Sequence, residues 1–199
     1  MHPNPTYHGE DRALHEALID EIGFGMVFLT TPDGPRVAHT PLISTGDGAV
    51  QFHLSRGNAL AGHLDGATAL VTVNGPDAYV SPRWYDNRDT VPTWDYVALE
   101  MEGRVRTMAP EGLEAFLHTL IERHEARIEG ADWNADEASE ATWNKLFKGI
   151  VGFELEVQAW RPTIKLSQRK SAAERARIAD AQAAAGRPAI AALMRTLGG

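Results

Sequence analysis

Met26-Val27-Phe28-Leu29-Thr30-Thr31, Pro32-Asp33-Gly34-Pro35 and Arg36-Val37-Ala38-His39-Thr40-Pro41-Leu42-Ile43 set two β-rich runs on either side of a cluster of turn-forming residues. Proline presets the φ of a turn, while Asp and Gly tolerate the conformations that reverse the chain, so the segment predicts a hairpin. Thr45-Gly46-Asp47-Gly48 marks a further turn, and Ala49 to Leu54 a third strand. Gly57 is expected to open a short helix carrying Leu60 and Leu64. Ala67 to Val73 and Ala78 to Val80 read as two more strands on either side of Asn74-Gly75-Pro76, and Trp94 to Thr107 as a long one. Gly149 to Trp160 returns to β character, its β-branched and aromatic residues alternating with Glu154, Glu156 and Gln158.

Helices flank these strands. Residues 1 to 9 carry Pro3 and Pro5 and are expected to be extended. Ala13, Leu14, Ala17, Leu18 and Ile22 then recur at helical spacing up to Gly23. Pro110 begins a helix with Leu113, Phe116, Leu117, Leu120 and Ile121 on one face, and another is expected from Glu137 to Phe147. Beyond Ser167 the chain is rich in Ala and Arg, which predicts two short helices broken near Gly186-Arg187-Pro188. Six or so antiparallel strands with short helices suit a small barrel rather than a doubly wound parallel sheet. The expected class is mainly β with peripheral helices (α+β), with residues 1–168 as the barrel domain and 169–199 as a C-terminal helical extension. The long strand 94–107 projects from so small a barrel and seeks a partner subunit, so a homodimer is expected.

The 199 residues are 43% hydrophobic and 23% charged, as in a soluble globular protein. Cysteine is absent, which excludes disulfides, thiolate metal sites and thiol nucleophiles. The net charge of −8 disfavours nonspecific binding to DNA or anionic membranes. It is unevenly spread: residues 169–199 hold six basic and two acidic residues, a net +4, which leaves −12 for the remainder. No apolar run reaches the length of a membrane span, and the cytoplasm is the expected location. Walker, GxGxxG, HExxH, GxSxG and EF-hand patterns are missing. The eight histidines are scattered; His118 and His124, six apart, fall on different sides of a helix, so no metal site is expected.

Three stretches are suited to a ligand. In Phe52-His53-Leu54-Ser55-Arg56-Gly57-Asn58, a strand ends in a hydroxyl, a guanidinium and an amide, groups that hold a phosphate and that also serve as ordinary turn and cap residues. Tyr79, Trp84, Tyr85, Trp94 and Tyr96 crowd aromatics around a polar, proline-bearing loop, either as a ligand wall or as core. Lys165-Leu166-Ser167-Gln168 follows the last strand, with a cation and two hydrogen-bonding side chains for an anionic or carbonyl-rich ligand, or as a solvated linker.

Tyr79-Val80-Ser81-Pro82-Arg83-Trp84-Tyr85, Val91-Pro92-Thr93-Trp94-Asp95-Tyr96, Lys148-Gly149-Ile150-Val151-Gly152-Phe153 and Lys165-Leu166-Ser167-Gln168 resemble, in order and spacing, the PaiB-type FMN-binding proteins. These are often labelled negative transcriptional regulators. The resemblance runs from Phe24-Gly25 and His39-Thr40-Pro41-Leu42 to the tail. It implies an FMN-binding split barrel similar to the pyridoxamine phosphate oxidases, acting as a homodimer with FMN near the subunit interface. Ser55, Arg56 and Asn58 then fall on the segment that grips the phosphate, and His39 and Thr40 on a strand beside the flavin. Trp94, Tyr96, Lys165, Ser167 and Gln168 are candidates for ring and ribityl contacts. Asp95 stands where the family commonly has Asn, an acceptor in place of a group that also donates, and Arg169 replaces a common Asn. The resemblance implies a flavin that serves as sensor or structural ligand. The alternatives are an FMN-dependent oxidoreductase, with His39 and His53 as proton carriers should they meet the flavin, and a haem-binding protein. No catalytic residue is assigned. Direct DNA binding through the +4 tail is disfavoured by the acidic body.

Overall fold

The structure, a computed structural model, describes residues 2–130 and 133–198. Among the described residues six strands, β1 (Phe24–Thr31), β2 (Gly34–Ser44), β3 (Ala49–Ser55), β4 (Thr68–Val80), β5 (Thr93–Thr107) and β6 (Ile150–Lys165), close a barrel in the order β1-β2-β3-β6-β5-β4. Five α-helices accompany them in the described residues: α1 (Arg12–Ile22), α2 (Pro110–Glu125), α3 (Glu140–Phe147), α4 (Ala172–Ala184) and α5 (Pro188–Thr196). The fold is therefore mainly antiparallel sheet with peripheral helices. No helix among the described residues is long and apolar enough to cross a membrane.

The chain divides into two compact units. Arg12–Val73 and Met101–Trp160 make one; residues 2–11, Asn74–Glu100 and 161–198 make the other. In the first unit the predicted hairpin forms with Thr31 opposite Gly34, so Pro32-Asp33 is a two-residue turn, and the register continues to Phe24 opposite Pro41. β3 pairs β6 from Ala49–Glu156 to Ser55–Ile150. Alternation along these strands turns Val27, Leu42, Val50, Phe52, Phe153 and Leu155 inward to full burial, with the Phe52 and Phe153 rings stacked 5.6 Å apart. Gly103 is required where β5 passes β6: a Cβ there would lie 1.9 Å from the Glu156 carbonyl oxygen. Leu113, Phe116 and Leu120 of α2 pack on Ile43, as the apolar stripe of that helix predicts.

Four expectations need correction. The segment after Ser55 forms no helix but a succession of turns. Asn58, Ala61 and His63 each donate their N–H three residues back, and Leu60 and Leu64 are buried from this turn path. The two strands expected around Asn74-Gly75-Pro76 are one continuous β4. Gly75 serves close strand approach, since a Cβ there would be 3.0 Å from that of Val97, and Pro76 is accommodated within the strand. The N-terminal residues are not wholly extended, for Pro5–Tyr7 is a 3-10 turn whose N-terminus is capped by the Asn4 side chain. β6 also runs five residues past Trp160, through Pro162 to Lys165.

In the second unit α4 begins with a capping box, the Ser171 hydroxyl and the Glu174 carboxylate each accepting from the other's backbone N–H. α5 follows after Gly186, at φ +76°, a conformation glycine adopts without strain. Gln182, fully buried, donates to the Tyr79 carbonyl at 2.7 Å and so fastens α4 to the end of β4.

Candidate functional site

The second unit holds a cavity of about 390 Å³. The loop after β4 supplies Tyr85, Thr90 and Val91, the start of β5 Thr93 and Asp95, and the end of β6 Lys165, followed by Ser167, Arg169 and Lys170. Two separate sequence clusters, the aromatic loop and the Lys165–Gln168 stretch, thus meet in one wall. Asp95 is only 1% exposed. Its Oδ2 accepts the Ser167 hydroxyl at 2.5 Å, whereas Oδ1 is buried without a hydrogen-bond partner. Burial pushes the Asp95 carboxyl above its usual range, while the Ser167 hydrogen bond and the positive charge of Lys165 pull it back. Lys165 donates to the Thr93 hydroxyl and to the Trp94 carbonyl, and burial lowers its pKa against the opposing pull of Asp95.

The turn that presents Ser167 is held firmly. Ser167 has φ +59°, the left-handed region that a residue with a Cβ seldom enters. The Gln168 carboxamide spans the turn, accepting from Leu166 N–H at 2.7 Å and donating to the Ile164 carbonyl. Its polar groups are therefore committed to the backbone, and Gln168 positions Ser167. Lys170 lies 3.5 Å over the Tyr85 ring and 3.6 Å from Glu174, so cation and ring form part of the same wall. Trp94 is half exposed, donates its indole N–H to Asp77 at 2.9 Å and meets Tyr79 edge-on; Tyr96 is half-buried on the same strand.

The remaining predicted residues lie in the first unit. Arg56 is exposed, with its backbone N–H on the Gly149 carbonyl and its Nε on the Lys148 carbonyl at 2.8 Å. These bonds aim the guanidinium and leave its terminal nitrogens clear of them. The Asn58 side-chain oxygen accepts from Leu60 N–H at 2.9 Å, and the Ser55 hydroxyl accepts from Gly57 N–H at 3.4 Å. The Thr40 hydroxyl is buried and donates to the His53 carbonyl at 2.6 Å, binding β2 to β3, while His39 next to it is exposed.

Sequence reasoning missed a second cavity, about 300 Å³, in the first unit. It is lined by His53, Leu117, Ile121, Trp143, Leu146, Phe147 and Ile150 and is almost wholly apolar. His53 meets the Phe116 ring at 5.7 Å, its Nδ1 is buried without a partner, and burial lowers its pKa. The signal was the spacing of Trp143, Leu146 and Phe147 opposite that of Leu117 and Ile121: two apolar stripes, one on each helix. Among the described residues no cluster of His, Asp and Glu is arranged to hold a metal ion.

The comparisons with known proteins agree with this picture. The family described as "Putative FMN-binding domain" matches residues 1–159. The chain is 31% identical over 159 residues to the protease synthase and sporulation protein PAI 2 of Bacillus subtilis (strain 168), a span covering 77% of this chain and 75% of that protein. Among solved structures, the FAD and heme binding protein from Mycobacterium smegmatis superposes with a TM-score of 0.61 at 17% identity, over 80% of this chain and 73% of that one. The flavocytochrome Anf3 from Azotobacter vinelandii gives 0.59 at 17% identity, over 83% and 72%. At such identities the likeness is one of fold, and the barrel is the split barrel of these proteins. By the match over residues 1–159 and the identity to PAI 2, the chain belongs to the PaiB-type FMN-binding family, and FMN is its cofactor.

Proposed function

We propose that this protein holds FMN as a sensor or structural ligand in a regulatory role. The observation that carries the reading is the polar cavity. FMN has a phosphate that needs cations, a polyol that needs hydrogen bonds and a ring with a carbonyl-rich edge. Lys165, Arg169 and Lys170 line that cavity beside a buried Asp95 whose Oδ1 lacks a partner, a donor and acceptor set that suits such a molecule. Arg56, oriented by Lys148 and flanked by Ser55 and Asn58, is the proposed phosphate anchor. His39, Trp94, Tyr96, Lys165 and Ser167 are the proposed flavin contacts; Thr40 and Gln168 act by holding strands and turn in place.

When bound, FMN supplies redox chemistry at its ring; the residues named here bind and orient it. Titration with FMN, followed by visible absorption, tests the reading. Arg56→Ala is expected to weaken binding by about 1.5–3 kcal/mol, the range for a hydrogen bond to a charged group, and unchanged affinity would remove Arg56 as the anchor. Oxidation of NADH by the FMN-loaded protein would instead favour an oxidoreductase. A haem is the second reading, favoured by the His53 imidazole, whose pKa burial lowers, in its apolar cavity, and a Soret band on reconstitution would identify it.

The homodimer is proposed on the outer face of the hairpin, where Phe24, Phe28 and Val37 are 51%, 36% and 45% exposed and Phe28 stands opposite Val37. Light scattering checks it: Phe28→Glu is expected to give monomers. DNA contact through the tail is not part of the proposal. Arg177 is paired with Asp86 and the Trp84 carbonyl, Arg195 with Asp180, Arg187 with Gln182 and Arg175 with the Lys170 carbonyl, so four of the tail's cations are engaged within their own unit. A gel shift at low salt would contradict this.

A further inference from the structure

Asp95 Oδ1 is a buried hydrogen-bond acceptor without a donor, on the wall of a 390 Å³ cavity. A buried acceptor left unpaired has lost its water without gaining a donor, so the site is built to receive a donor from whatever fills it. The groups around Asp95 narrow the choice. Lys165 carries three N–H bonds, of which two are used by the Thr93 hydroxyl and the Trp94 carbonyl, leaving one. Arg169 lines the same cavity, an exposed guanidinium with five N–H donors. The cavity therefore offers an acceptor among donors. A free carboxylate or phosphate at Asp95 would bring two negative charges together, whereas a neutral N–H flanked by two carbonyls matches all three groups. That sequence of atoms, carbonyl, N–H, carbonyl, is an imide, and the flavin ring carries one on its pyrimidine edge.

We propose that the cavity recognises the imide edge of the flavin, with Asp95 Oδ1 accepting the imide proton and Lys165 and Arg169 donating to the flanking carbonyls. The assignment rests on the FMN reading above. It gives the Asp-for-Asn departure a function. Asn at 95 would also accept the imide proton, but only Asp adds a negative charge beside a ring that itself becomes more negative on reduction. The charge opposes reduction, so the bound flavin is held at a lower potential than the Asn form would give. The Ser167 hydroxyl, fixed by its left-handed turn, keeps Oδ2 occupied and Oδ1 turned to the task.

The experiment compares FMN with 3-methyl-FMN, which lacks the imide proton, on the intact wild-type protein, and then measures the midpoint potential of bound FMN in wild type and Asp95→Asn. Wild type is expected to bind 3-methyl-FMN roughly ten-fold more weakly than FMN, about the value of one hydrogen bond. Asp95→Asn is expected to retain FMN and to raise its potential; Asp95→Leu is expected to lose the discrimination between the two flavins. If FMN binds but wild type takes both flavins equally, or if the potential is the same in Asp95→Asn, the imide assignment is overturned while the FMN reading stands. If neither flavin binds, the FMN reading fails and takes this assignment with it.

Discussion

The two cavities solve opposite problems with titratable groups. In the polar one, Asp95 and Lys165 are drawn out of water but remain within reach of each other's charge, and Ser167, Thr93 and the Trp94 carbonyl satisfy most of their hydrogen bonds. In the apolar one, His53 stands among Leu117, Ile121, Trp143 and Phe147 with no such company, and burial alone sets its ionisation toward the neutral form. Charge is kept inside a protein only where partners compensate for lost water. The first cavity is thus equipped to recognise polar atoms, the second to exclude them.

The largest expected effect lies under the apolar cavity. Phe116 is 1% exposed and packs on His53 and Ile43. Phe116→Ala is expected to cost about 3–5 kcal/mol in urea unfolding, and a loss well below that would mean that α2 is not part of the core. In the polar cavity Ser167→Ala removes the hydroxyl that donates to Asp95 Oδ2 while keeping the backbone N–H beside the carboxylate, with an expected cost of about 1–3 kcal/mol by the same measurement. A negligible change would show that the hydroxyl is not what satisfies the carboxylate.

The pH dependences have opposite signs in the two cavities. Because burial raises the Asp95 pKa, the folded cofactor-free protein holds this proton more tightly than the unfolded chain. Its stability is then expected to fall as pH rises from the ordinary carboxylate range through the raised value, by less than about 1.4 kcal/mol per pH unit. Asp95→Asn should flatten that slope. His53 is lowered, so the unfolded chain binds the proton first, and stability is expected to fall as pH drops through the usual imidazole range, with the same ceiling. Thermal melting of His53→Phe between pH 5 and 8 is expected to lack this loss, and an unchanged slope would place the acid sensitivity elsewhere. The smallest effect is expected at Leu146, 65% exposed at the apolar cavity. Leu146→Ser should change stability by no more than about 0.5 kcal/mol, and a larger loss would make α3 part of the closed core.

Much of the barrel is legible in the chain because its signals are local. The Pro32-Asp33 turn, the alternation along β1 to β3 and the apolar stripe of α2 each depend on neighbours a few residues away. Gly75 and Gly57 mislead for the opposite reason. Glycine and proline mark a turn when only adjacent residues are considered, but Gly75 answers to Val97, twenty-two positions on, and Leu60 and Leu64 reach burial through turns rather than a helix. The site shows the same division. Asp95, Lys165 and Ser167 can be singled out by type and by family resemblance, while their meeting in one wall depends on β5 and β6 lying side by side. The committed hydroxyl of Thr40 and carboxamide of Gln168 are invisible until their backbone partners are placed. The apolar cavity at α2 and α3 escaped notice because each of its stripes, taken alone, looks like the core face of an ordinary helix.

From its residues alone this protein is a mainly β chain with no thiol chemistry, an acidic body, a basic tail and the motifs of a flavin-binding family, since these follow from composition and from order along the chain. Tertiary structure decided which of those polar groups remain available to a ligand. A hydrogen bond is formed between atoms brought within about 3 Å of each other, and nothing in a linear order of residues states that Asp95 has one oxygen satisfied and the other still waiting.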